Sequence, residues 1–237
     1  MLKDLGALLV AVPDAGSGRA AYRRAVVEEN RLGKRSQKTR WLSYRHLVSL
    51  YGLDPGVAVF RALRFFWQRD PEGRPLLSLL CAYARDPILR ASAPFVFGLR
   101  EGEPCDRAKL EGFLDRLDPG RFSKATLRST AQNVAATWTQ AGHLKGRARK
   151  VRARARPTAG AAAYALLLGY LGGGRGQALF HTDYARCLDV PAEQAAELAE
   201  EASRRGWIVM KRIGDVVEVA FPKILTAQET ERVREQS

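Results

Sequence analysis

Four Asp-Pro pairs, at residues 54–55, 70–71, 86–87 and 118–119, divide the chain into lengths that suit short helices. Aspartate at a helix start accepts hydrogen bonds from the unpaired N–H groups of the first turn. Proline at the next position loses little, because its missing N–H would have had no partner there. Between these pairs apolar residues recur at three and four. Trp41, Tyr44, Leu47, Val48 and Tyr51 make one stripe behind a Ser36 cap, and Val59, Leu63, Phe66 and Trp67 make the next. The same reading gives helices over 18–31, 37–51, 56–69, 75–85, 87–98, 106–117, 123–141, 158–171, 182–188 and 191–205. A short strand is expected at 178–181, and a hairpin over 207–213 and 216–221, joined by Gly214-Asp215. From Lys223 onward the pattern suits a frayed tail. The fold class is mainly α.

Apolar residues make up 46% of the 237, too many for a disordered chain. The formal net charge is +14, and such a surface usually serves a polyanion: DNA, RNA or anionic lipid. The charge is also sorted. Pro119 to Thr182 has no Asp or Glu and carries Arg121, Lys124, Arg128, Lys145, Arg147, Arg149, Lys150, Arg152, Arg154, Arg156 and Arg175. Asn30 to Leu53 is equally free of acids and carries Arg31, Lys34, Arg35, Lys38, Arg40 and Arg45. Together the blocks hold +17, so the remainder is slightly acidic. Either block alone could be a solvated face. Brought together by folding, they would cover several phosphates, each adding about 0.9 to the log–log salt slope of binding.

Residues 106–156 follow the order of a winged helix-turn-helix: helix, turn, long helix, glycine, then a two-stranded wing. From Lys150 to Arg156 the basic residues 150, 152, 154 and 156 alternate with Val151, Ala153 and Ala155. On a strand that period puts every basic side chain on one face. The helix after Ser123 would be the recognition helix, with Lys124, Arg128 and Gln132 along the groove and its positive dipole end toward a phosphate. Lys145, Arg147 and Arg149 extend the wing's contacts. Lys34, Arg35, Ser36, Lys38, Thr39 and Arg40 surround another helix start, with Arg45 a turn further on, and read as a second backbone clamp. Residues 178–221 repeat the winged order, but their second helix carries Glu193, Glu197, Glu200 and Glu201. Phosphate would repel it, so that module suits protein contact or a structural role. The organisation expected is a helical domain over 1–104, a winged module with a basic wing over 105–157, and a second winged-helix-like module with a tail over 158–237.

Cys81, Cys105 and Cys187 are odd in number, scattered and without a CxxC pair, which suits a reducing compartment, the cytoplasm. Met1 to Gly6 carries an acid and the apolar run 7–12 is short, so no secretory signal is expected. Residues 159–171 fall well below the roughly 20 needed to span a bilayer, so neither is membrane insertion. His46, His143 and His181 stand apart, and the glycine run at 172–176 lacks a phosphate-loop pattern. No catalytic residue, metal or cofactor is expected.

Val27-Glu28-Glu29-Asn30-Arg31-Leu32-Gly33-Lys34-Arg35-Ser36, then Thr39 and the helix at 45–50, resembles the N-terminal signature of the BrxA family of BREX bacteriophage-exclusion systems. Ser123-Lys124-Ala125-Thr126 and Trp138-Thr139-Gln140-Ala141-Gly142-His143-Leu144 are similar to that family's middle helix and its glycine ending. The resemblance spans about residues 18–222. It implies a mostly helical protein with winged-helix-like parts, duplex DNA binding, no catalytic residues, and a place beside other BREX proteins in phage defence. Two alternatives stay open: an adaptor whose basic surface meets acidic partner proteins, and an RNA-binding factor of the antitermination kind. The second is weakened by the lack of an aromatic-rich stacking motif.

Overall fold

Side-chain caps open many of the helices in the computed structural model, which describes residues 1–214 and 216–235. α1 (Leu2–Ala11) is followed by α2 (Arg19–Arg23), which runs into a π-helical turn over Arg24–Glu28. The single helix expected for 18–31 is therefore wound in two ways. Ser36 accepts a hydrogen bond from the Thr39 N–H (3.2 Å) and starts α3 (Gln37–Tyr51). α4 (Ala58–Arg69) begins two residues later than expected, because Asp54 turns its carboxylate to the Gly56 N–H instead of capping a helix. α5 (Arg74–Arg85), α6 (Pro87–Ala91) and α7 (Ala93–Phe97) follow, with Asp86 capping α6.

Asp106 caps α8 (Arg107–Leu117) and Ser123 caps α9 (Lys124–Gln140). β1 (Leu144–Lys145) pairs antiparallel with β2 (Val151–Arg152), and Pro104 adds a single bridge to Val151. Thr158 caps α10 (Ala159–Leu171). The strand expected at 178–181 is instead part of a 3-10 turn over Gly176–His181, whose run of only four candidate strand residues finds no partner strand. Thr182 caps α11 (Asp183–Arg186), α12 (Ala192–Arg204) follows, and β3 (Val209–Ile213) and β4 (Val216–Ala220) form the expected hairpin. Asp215, half of the expected Gly214-Asp215 turn, lies outside the described residues. The expected frayed tail is a helix, α13 (Ala227–Glu235), held by an Arg61–Glu229 ion pair (2.5 Å) and buried Val233.

The fold is mainly helical, with two small antiparallel sheets. α10 lies at its centre: all its residues but Leu171 are buried. Alanine and glycine keep this helix thin, so α4 and α5 pack against it, as do α11 and α12. Buried apolar side chains from Leu5 to Val233 join one cluster. Asp70, at the end of α4, fastens the start of α10. Its Oδ2 accepts from the Thr158 hydroxyl (2.6 Å) and the Gly160 N–H (2.9 Å), and its Oδ1 from the Gly73 N–H (3.1 Å). A Cβ on Gly73 or Gly160 would collide with that carboxylate. Among the described residues no helix is long and apolar enough to cross a membrane.

Candidate nucleic-acid interface

α9 is fixed from its inner face. Ala131, Val134, Ala135 and Trp138 are buried, α8 packs alongside, and the Trp138 indole N–H donates to Ser92 Oγ (2.8 Å). That leaves Lys124, Arg128 and Gln132, one helical turn apart, exposed in a row. After α9, Gly142 (φ 93°) turns the chain into β1, and Gly146 (φ 102°) starts the reversal toward β2. The loop between the strands faces α8 and α9 across a groove of about 780 Å³. Gln132, Arg147, Arg149 and Lys150 line it, with Arg107 and Lys109 opposite.

Two acids also line this groove, and both are engaged locally. Glu103 accepts from the Arg100 N–H (2.9 Å), and Asp106 from the Lys109 N–H (2.9 Å). Among the described residues, Lys124, Arg128, Lys145, Arg147, Arg149, Lys150 and Arg156 have no carboxylate within ion-pair distance. Their charge is available to a bound anion.

The β1–β2 pair differs from the alternation expected of a wing. Its strands are two residues long, and residues 150, 152, 154 and 156 do not share a solvent face. Arg152 turns inward and is 4% exposed. It holds both oxygens of Asp189 (2.6 and 2.9 Å) and reaches the His143 carbonyl (3.2 Å). Arg154 is exposed, but it pairs with Asp189 (3.2 Å) and approaches Glu101 (3.8 Å). Arg156 is exposed near the end of α9. The reason is Asp189, 37 residues away in the chain, a buried acid that demands a cation. Burial pushes its carboxyl up, but hydrogen bonds from Arg152 and the Ala155 N–H, with the charge of Arg152, hold it below the usual carboxylate range.

His143 lies in the same cluster, between Trp138 and Phe97, with Nε2 at 2.9 Å from the Cys187 carbonyl. Burial drives its pKa down to about 4, against the opposing pull of Asp189. Cys81 and Cys187 are buried and Cys105 half-buried, all as free thiols. No group of three His, Cys, Asp or Glu among the described residues could hold a metal.

Comparison with family models, curated proteins and solved structures finds no match.

The other basic block is only partly free. Lys34 pairs with Asp4 (2.7 Å), and Arg40 turns toward the Val27 carbonyl (3.4 Å). The Ser36 and Thr39 hydroxyls bond each other (2.9 Å). Arg35, Lys38 and Arg45 are exposed and have no carboxylate partner among the described residues. None of residues 34–45 lines the groove beside α9. The first turn of α1 touches both regions, since Asp4 holds Lys34 and the Leu2 N–H donates to Gln140 Oε1 (3.1 Å) at the end of α9.

Sequence reasoning missed Arg107 and Lys109. Both sit in the first turn of α8, where the helix dipole opposes cations, and Arg107 pairs there with Glu111 (3.1 Å).

Proposed function

We propose that this chain is a DNA-binding accessory protein that grips the phosphates of a duplex with little sequence preference. One observation carries the reading. Arg147, Arg149 and Lys150 line one groove with Gln132 of α9, and Lys124 and Arg128 are exposed on the same row of that helix, all five cations without carboxylate partners among the described residues. In this reading α9 is the recognition helix of a winged module and the loop is its wing tip. Gln132, which lines the groove, would then reach a base edge, while the cations would contact only the backbone. The resemblance to the BREX family supports a role in bacteriophage defence alongside that system's other proteins.

A salt titration tests it. With about five phosphates neutralised, duplex affinity should fall with a log–log slope of roughly −4 to −5. The triple variant Arg147→Ala, Arg149→Ala, Lys150→Ala should flatten that slope by about 2 to 3. An unchanged slope removes the wing tip from the interface. Absence of duplex binding at about 100 mM salt, with co-purification of a protein, favours the adaptor reading instead.

A further inference from the structure

α3 buries Ser43, Leu47 and Tyr51 against α5 and the π-helical turn, and shows its opposite face to solvent. Lys38, Trp41 and Arg45 lie along that face at spacings of three and four, beside Leu42. The sequence pattern placed Trp41 in the core stripe, yet it is 39% exposed and Leu42 is 49% exposed. The indole is not loose. The Arg23 guanidinium sits 5.8 Å from its centroid and the Tyr44 ring meets it edge-on at 6.0 Å. Lys38 and Arg45 on that face, and Arg35 just before the helix, lack carboxylate partners among the described residues, and Glu28 and Glu29 are bound to Arg23 (3.1 Å) and Arg31 (2.8 Å).

A held indole with an aliphatic neighbour and free cations matches a ligand with negative charge and flat apolar faces. A duplex stacks its bases inside and offers this face only phosphate and sugar. A single strand offers both phosphates and bare bases, and base–aromatic stacking tolerates any sequence. We infer that the outer face of α3 binds single-stranded nucleic acid, with a base stacked on Trp41 and phosphates held by Lys38, Arg45 and Arg35. The site shares no residue with the groove beside α9 and does not rest on the duplex reading.

The test compares an oligothymidylate, an abasic deoxyribose-phosphate chain of equal length and polyglutamate at about 100 mM salt. The oligothymidylate should bind tightest and quench tryptophan emission. Trp41→Ala should weaken it roughly tenfold while leaving the abasic chain unaffected. Trp41→Phe, which keeps a ring, should recover most of the loss, and unchanged circular dichroism guards against misfolding. Equal binding of the oligothymidylate by wild type and Trp41→Ala overturns the proposal. So does binding of the abasic chain or polyglutamate as tight as that of the oligothymidylate, the latter pointing to an acidic protein partner.

Discussion

Asp189 and His143 meet at one buried point and make the fold sensitive to acid. His143 is fully buried and held neutral, its pKa lowered from 6.5 to about 4 by burial. The unfolded chain therefore binds the extra proton first. Stability is full above about pH 6.5 and drains as pH falls toward 4, by on the order of 3 kcal/mol. Urea midpoints measured between pH 7 and pH 4.5 should show that decline. His143→Gln, which keeps an N–H for the Cys187 carbonyl, should flatten it. Asp189 has the opposite charge and a lower window, because its depressed carboxyl protonates only below the ordinary carboxylate range. Its φ of 63° is left-handed, a conformation asparagine tolerates well, so Asp189→Asn removes the charge with little backbone strain. The Arg152 side chain, 5% exposed, would be left charged and unpaired. We expect a loss of about 3 kcal/mol in denaturant unfolding at pH 7, partly recovered when Arg152 is also changed to Met.

Helices and hairpins differ in how much of them was written locally. Ser36, Asp86, Asp106, Ser123, Thr158 and Thr182 all cap the helices that follow them, because a cap needs only its own side chain and the next turn. A two-residue antiparallel strand pair does follow α9, but not with the alternation expected over 150–156. Period-two basic residues cannot announce that Arg152 has a distant acid to meet, and a strand of two residues cannot impose alternation on 150–156. Trp41 was misread for a related reason. Helical spacing defines a stripe but not its width, and only the packing of α5 and the π-helical turn shows where burial stops. The hairpin itself hangs on Gly146. Its φ of 102° excludes side chains, and an added Cβ would overlap the Arg149 carbonyl. Gly146→Ala should open the loop at 145–150, raise amide exchange there and weaken duplex binding about tenfold or more. The unfolding midpoint should move little, because the loop is exposed.

The whole molecule turns on α10, whose burial leaves no outward face. Its N-terminal end is tied to α4 through Asp70, the Tyr164 hydroxyl donates to the Val59 carbonyl (2.9 Å), and α12 covers another side. Helices from the first hundred residues and the last eighty therefore share one wall, and a disturbance there should reach all of them. Leu167 is fully buried, so Leu167→Ala should cost about 3 kcal/mol. The form of the loss is more telling than its size. The four tryptophans, at 41, 67, 138 and 207, report from separated parts of the chain. If the cluster around α10 is one cooperative unit, tryptophan emission and helical circular dichroism should give a single coincident transition in wild type. In Leu167→Ala that transition should move as a whole to lower urea with the same slope. Independent units would answer differently: emission would split into an early phase from the C-terminal part and a late phase from α3 and α4. The proposed grip through α9 and a small hairpin would benefit from the first behaviour, since α9 is held by Ser92 and Asp189 pins the hairpin to the segment leading into α12. The interface can then be no looser than the core that carries it.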